Sequence, residues 1–408
     1  MDRNAKKPSI ASAKNNNSAT NHPMAQSQLD VLIVGAGVTG LTTAFELARE
    51  GLRVLVCDRQ TIGQEASWAG AGMLPPGALP TAHSPETRLR SFSNSLWPQL
   101  AKTLQQLTGR DIGYRVSGSL LLMPDLNSAE SAAGQWHAEG VLAEPVSGPG
   151  LRTLCPSLNP SQQHALWLPE QAQVRNPWHL QALKIACQQL RVDFLENSTG
   201  PQLEITSSTV TAVTINGLHL QPRRVCITAG AWTANILEQL GVQLPVFPVR
   251  GQMLLLKTTS PVLKCMLELG KRYLVPRTDG LILAGSTEEL TGFQKANTPD
   301  GVANLLEFSS NLIPQLRQQE LVRCWSGLRP GSADELPFLG QVPGFINLFV
   351  AAGHFRSGLQ MSPGTARIMA DILQDRTPPI SLEGLQTDRL LRGINRKECE
   401  PCAPSFNE

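Results

Sequence analysis

An uninterrupted apolar run, Asp30-Val-Leu-Ile-Val34, leads straight into Gly35-Ala-Gly37-Val-Thr-Gly40. A run of that kind suits a parallel strand buried on both faces. It is followed by Leu41-Thr-Thr-Ala-Phe-Glu-Leu-Ala48, apolar at helical spacing and closed by Gly51, and then by a second strand, Arg53-Val-Leu-Val-Cys57, ending at Asp58. Strand, glycine turn, helix and strand within about 30 residues make one βαβ unit. In that setting the glycines have separate tasks. Gly35 permits the tight turn, Gly37 lets a pyrophosphate approach the backbone, and Gly40 lets helix and strand touch. The unpaired N–H groups and the positive end of the helix then face the phosphates. Asp58, 18 residues beyond Gly40, is placed to accept the hydroxyls of an adenosine ribose. The plain alternative is a glycine turn with no ligand, and the fingerprint by itself leaves NAD and FAD open.

A chain of 408 residues is too long for one ordinary core, so two interleaved domains are expected. The nucleotide-binding lobe is assigned to 29–85, 150–240 and 325–380. Within it lie a glycine- and alanine-rich connection from Ala66 to Pro75, irregular rather than helical, and buried strands at Arg224-Val-Cys-Ile227 and Ile346-Asn-Leu-Phe-Val-Ala-Ala352. The second lobe, 86–149 and 241–324, is dominated by alternating stretches such as Gly251-Gln-Met-Leu-Leu-Leu256, which read as an antiparallel sheet. A disordered extension is expected over 1–28, where no apolar segment marks a secretory signal, and a polar tail over 381–408.

Composition excludes several functions. A formal charge of +2 is far from the footprint of a nucleic-acid binder. No apolar run approaches the roughly 18 residues needed to cross a bilayer, so no stable membrane insertion is expected. The 8 scattered cysteines suit a reducing compartment, and the cytoplasm is the expected location. Cys399-Glu-Pro-Cys402 has no second ligand pair, so no metal site is assigned.

The choice of cofactor rests on the C-terminal half. It contains Arg323-Cys-Trp-Ser-Gly-Leu-Arg-Pro-Gly331, Leu336-Pro-Phe-Leu-Gly340 and Ala351-Ala-Gly-His-Phe-Arg-Ser-Gly-Leu-Gln360. Together with Ala66 to Leu74, Tyr273-Leu-Val-Pro-Arg277 and Gly285-Ser-Thr-Glu-Glu289, these blocks run collinearly from about Leu29 to Leu373. They resemble the D-amino-acid oxidase superfamily of FAD enzymes, and within it the glycine oxidases of thiamine biosynthesis. The resemblance implies a Rossmann-like FAD-binding domain interleaved with an antiparallel-sheet substrate domain, an α/β plus α+β architecture. It also implies non-covalent FAD, a small amino-acid substrate, O2 as electron acceptor and a homo-oligomer.

Carried over position by position, the resemblance implies FAD contacts at Gly35, Gly37, Val38, Thr39, Gly40, Asp58, Arg59, Ala66, Ser67, Ala71, Gly72, Met73 and Val174. It implies further contacts over Gly353, His354, Phe355, Arg356, Ser357, Gly358, Leu359 and Gln360. Arg329 matches the arginine that grips the substrate carboxylate, and Arg356 and Tyr273 match other pocket residues. Asp58 stands where relatives commonly have Glu, and Trp68 where small residues are usual. Cys324 resembles the cysteine that bonds the flavin in sarcosine-oxidase-like relatives, but its apolar surroundings read as a buried thiol.

Oxidation of an amine next to a carboxylate requires mainly that the reacting carbon be held in place, so no catalytic acid or base is assigned. An arginine fork holds a carboxylate bidentately, which Lys cannot reproduce. Each assignment has a structural rival: Arg329 pairing with Asp334 or Glu335, Arg356 covering the rim, Tyr273 as an ordinary strand aromatic, His354 as packing rather than a base. Two other functions also fit a flavin site. One is a dehydrogenase serving a quinone or carrier protein, the other a flavin-binding or sensing protein without turnover.

Overall fold

The computed structural model describes residues 29–390. The expected extension over 1–28 and the Cys399/Cys402 pair lie outside that range. The first lobe is built on a six-stranded sheet in the order Phe338–Gln341, Leu348–Ala352, Arg224–Ile227, Val31–Val34, Val54–Cys57, Asp193–Leu195. All neighbours are parallel except the Phe338–Gln341 edge. Burial on both faces explains the continuous apolar runs. Val31, Ile33, Val54 and Val56 pack under the helices Val38–Arg49, Asn176–Gln189 and Ser362–Ile372. Leu32, Val34, Leu55, Val225 and Ile227 pack on the opposite side, beneath a small sheet formed by Gln202–Thr206, Thr209–Ile215 and Leu218–Leu220.

The second lobe is an eight-stranded sheet in the order Glu320–Ser332, Val246–Lys257, Leu281–Gly285, Arg272–Pro276, Met266–Leu269, Ser119–Met123, His164–Leu168, Glu144–Ser147. Its neighbours are antiparallel apart from Met266–Leu269 beside Ser119–Met123. The helix Pro299–Leu312 covers its back through Leu305, Phe308 and Leu312. Its front faces the C-terminal ends of the parallel strands.

Five stretches differ from the sequence expectations. Glu320–Ser332, assigned from 325 onward to the first lobe, pairs with Val246–Lys257 in the second, and the helix Pro85–Thr108, assigned to the second lobe, packs through Leu89, Trp97 and Leu104 on the core of the first. His164–Leu168, within a span assigned to the first lobe, pairs with Ser119–Met123 in the second. The connection from Ala66 begins with a helical turn, Ala66–Ala69. That turn is held from outside, since Asn176 Nδ2 donates to the Ser67 carbonyl at 2.8 Å and Trp325 Nε1 to the Ala69 carbonyl at 3.0 Å. Local periodicity could not reveal such partners. The stretch 381–390 of the expected polar tail extends the first lobe. Leu385 is buried and its carbonyl accepts from Leu339 N, while Arg389 bonds Asp334 through two nitrogens at 2.7 and 2.9 Å.

Candidate active site

A cavity of about 640 Å³ runs from the glycine turn after Val31–Val34 to the front of the eight-stranded sheet. At its first end the turn is cut to fit a backbone approach. Gly35 has φ +111°, and a Cβ there would meet the Thr228 carbonyl. A Cβ on Gly40 would fall on the Gly35 carbonyl and 2.6 Å from Thr228 Oγ1. Thr228 in turn donates its hydroxyl to the Gly35 carbonyl at 2.7 Å. A Cβ on Gly37, by contrast, would meet only Ser67 Oγ at 3.1 Å, and Gly37 lies on the cavity wall. The turn is thus packed on its sheet side and bare on its cavity side.

Asp58 also lines this end. Its Oδ2 accepts from Ala36 N at 2.7 Å and its Oδ1 from Gln60 N at 2.9 Å. Burial raises its pKa, and the two N–H donors and Arg59 oppose that shift. One of its tasks is therefore to fix the glycine turn, and each oxygen keeps a lone pair for a further donor. Arg59 stacks over Trp232, 3.7 Å from the ring centroid, which holds both at the wall.

In the middle, Ala66, Ser67, Ala71, Gly72 and Met73 form one side. Ser67 Oγ accepts from Val38 N at 2.9 Å, capping the helix that begins there. Gly72 has φ +72°, and a Cβ on it would strike the Val174 carbonyl. Behind this segment Arg277 donates to the Ala71 carbonyl at 2.7 Å, the Val174 carbonyl at 3.1 Å and Gln173 Oε1 at 2.7 Å. Burial, with Arg175 and Arg115 nearby, lowers its pKa to about 9.

The far end is formed by Tyr273, Arg329 and the turn from His354 to Gln360. Arg329 donates to the Thr287 carbonyl at 3.2 Å and to Ser286 Oγ at 2.5 Å. Among the described residues it has no carboxylate partner: Asp334, the expected rival, is taken by Arg389. Burial lowers the Arg329 pKa, and the adjacent Tyr273 opposes that shift. Tyr273 Oη also points at Met253 Sδ, 3.4 Å away. Arg356 sits at the rim, donating to the Lys271 carbonyl at 3.1 Å, with Glu288 3.9 Å away. His354 is buried, its Nε2 sharing a hydrogen bond with Thr365 Oγ1 at 3.0 Å, and burial pushes its pKa down to about 4. It is a neutral packing imidazole at ordinary pH, not a poised base.

Every candidate contact residue named from the sequence reaches this one cavity wall except Gly40, Val174 and Gly353, and Trp68 is off it too, packed edge-on against Trp325. Cys324 is elsewhere. It packs against the core on the back of the eight-stranded sheet, and burial raises its thiol pKa. Sequence reasoning missed a second glycine turn, Thr228-Ala-Gly-Ala-Trp232, and the loop Ser198 to Pro201 that closes the first end. Gly230 at the end of a buried strand was a usable signal for the former. It also missed Asn176, Gly251, Met253 and Glu268. The lone acid of Met266-Leu-Glu-Leu269 could have been noticed in so apolar a strand.

An elongated cavity with a bare glycine cradle at a helix N-terminus and a wide apolar middle fits a flavin dinucleotide. The sequence comparisons agree. Residues 30–372 match the family model for FAD dependent oxidoreductases (DAO). A glycine oxidase of Pseudomonas aeruginosa is 37% identical over 86% of this chain and 96% of its own length. The bifunctional protein ThiO/ThiG of a Synechocystis strain is 34% identical over 93% of this chain and 57% of its own length. The crystal structure of glycine oxidase from Geobacillus kaustophilus superimposes with a TM-score of 0.83 at 31% identity, covering 88% of this chain and 98% of that one.

Proposed function

The chain belongs to the DAO family of FAD-dependent oxidoreductases, and from that premise we propose that it oxidises glycine, or a similarly small amine such as sarcosine or a short D-amino acid. For glycine the balanced reaction is glycine + O2 + H2O giving glyoxylate, ammonia and H2O2. Supply of the imine to the thiazole branch of thiamine synthesis belongs to the same reading, in keeping with the ThiO/ThiG relative.

One observation carries the reading: Arg329, mostly buried on the cavity wall, is a cation with no carboxylate in ion-pair contact among the described residues, Glu288 acting on it only from a distance. A buried guanidinium in that state favours an incoming anion, because its desolvation is already incurred and its fork matches a carboxylate. Ser286 and the Thr287 carbonyl fix the fork, so little ordering remains to be done when substrate arrives. Tyr273 can donate its hydroxyl to the same carboxylate. Arg356 at the rim draws anions toward the mouth.

The flavin supplies the two-electron acceptor chemistry of such enzymes. This chain's contribution is positional. Ser67, Asp58 and Arg277 hold the surrounding backbone, and the turn from His354 to Gln360, ahead of the helix Ser362–Ile372, forms the far end of the cavity. Release of H2O2 should be measured with glycine, sarcosine, D-alanine and D-proline. Turnover of at least one, lost in Arg329→Ala, is expected, and turnover of none discards the substrate class.

A further inference from the structure

Glu268 stands on the strand Met266–Leu269, between two apolar neighbours, yet its carboxyl lies on the cavity wall. Its position follows from the sheet register. Glu268 is directly opposite Tyr273, Tyr273 opposite Gly285, and Gly285 opposite Met253. Residues in one such row project from one face of a sheet, so all of them look toward the cavity. The space over Gly285, in the middle of the row, is filled by its neighbours, since a Cβ there would fall on Met253 Sδ and lie 2.9 Å from the Tyr273 ring.

The two carboxyl oxygens are not equivalent. Oε1 accepts from Ser119 Oγ at 2.7 Å and from Gln171 Nε2 at 2.8 Å, which anchors the group on its far side. Among the described residues no donor is bonded to Oε2. The other acids of the cavity wall, Asp58 and Glu65, belong to the opposite end, where they are tied to the glycine turn and to Arg59 and Lys295. Glu268 is therefore the one acid of the described wall that stands beside Tyr273, while the carboxylate that acts on Arg329 is Glu288, next to Arg356 at the rim. Burial raises its pKa, and Ser119 and Gln171, with Arg356 at the rim, oppose that shift.

An acid that faces the same end of a cavity as an arginine receiving a carboxylate creates a conflict. A simple carboxylate bound by Arg329 would be repelled by Glu268. An α-amino acid removes the conflict, because its ammonium sits within a few ångströms of its carboxylate and supplies the missing donor. We propose that Glu268 Oε2 receives the amino group of the substrate, so that the pocket reads both ends of a zwitterion and rejects hydroxy acids and amine-free carboxylates. The inference rests on the amine-oxidase reading of this cavity and adds the group that enforces it.

The test uses flavin-loaded wild type, Glu268→Gln and Glu268→Leu, with flavin content and Tm as checks on folding. Glycine KM and kcat are measured, and binding of glycine and of glycolate is followed by flavin absorbance. The Gln variant keeps an acceptor for Ser119 and Gln171, so it decides the matter if the Leu variant does not fold. Loss of a charge-assisted contact and of a repulsion should raise glycine KM about tenfold or more, with a smaller effect on kcat, while glycolate binds more tightly than to wild type. An unchanged glycine-to-glycolate affinity ratio in Glu268→Gln overturns the assignment. Failure of wild type to turn over any amine would instead strike the proposed reaction, and the affinity ratio would still judge Glu268.

Discussion

Arg329 occupies the space that a side chain at position 251 would need. A Cβ built on Gly251 falls on the guanidinium, which crosses from Glu320–Ser332 over Val246–Lys257 to reach Ser286 and Thr287. The glycine in one strand and the arginine in the next thus form one device, a cation laid flat across a sheet with its fork at the cavity.

Two substitutions separate the charge from its placement. Arg329→Ala should lower kcat/KM for glycine by roughly 100-fold or more, about 3 kcal/mol of transition-state binding, mainly through KM. Gly251→Ala keeps the charge but displaces the fork, so KM should rise with flavin content unchanged. Steady-state kinetics on flavin-loaded protein check both, and a wild-type KM in Arg329→Ala would remove the carboxylate assignment.

The glycine turn offers a second contrast. Gly40→Ala puts a methyl group against the Gly35 carbonyl and Thr228, and overpacking of this kind costs about 1–3 kcal/mol. Gly37→Ala meets only Ser67 Oγ, so its stability should stay near wild type while the methyl fills the cradle and weakens flavin retention. Thermal unfolding of the apoproteins and flavin-binding titrations distinguish the two. Equal Tm losses would mean that Gly37 serves packing rather than the ligand.

His179 gives a pH prediction. It is fully buried against Trp97, neither ring nitrogen has a partner among the described residues, and burial pushes its pKa from 6.5 to about 3. The unfolded chain takes up this proton as pH falls through about 6.5 while the folded chain refuses it, so stability is full above that pH and declines below it. By about pH 5 this amounts to about 2 kcal/mol. His179→Leu should therefore lose less Tm than wild type between neutral pH and pH 5, although His354 keeps a similar sensitivity in both. Parallel acid limbs would exclude the buried imidazole as a source.

Cys324 should leave the flavin unattached. Its side chain packs on the core behind the eight-stranded sheet, and its raised pKa keeps it a thiol rather than a nucleophilic thiolate. Acid precipitation should release all yellow colour into the supernatant, and Cys324→Ala should retain flavin as wild type does. A coloured pellet that turns colourless in the Ala variant would reverse this.

Some of this site was legible before any coordinates. Gly35, Gly37 and Gly40 work within a few residues of one another, and the backbone constraint that requires glycine acts locally, so the motif announces itself. The same holds for the apolar runs Val31–Val34 and Arg224–Ile227, whose burial on both faces leaves no alternation. Arg329 was legible only through its resemblance to a familiar block, because nothing in Leu-Arg-Pro-Gly says whether Asp334 will neutralise it. Arg389, 55 residues further on, takes that aspartate.

The chain's order of residues was sufficient for what depends on near neighbours: a βαβ unit, a glycine cradle, an alternating sheet. Which side chains share the far end of the cavity was decided by strand register and lobe packing. Glu268 meets Ser119 across 149 positions and Gln171 across 97, and Tyr273 reaches Arg329 only because intervening strands fold between them. Such encounters depend on side-chain direction in a finished sheet, where a slip of one residue would send Glu268 to the opposite face.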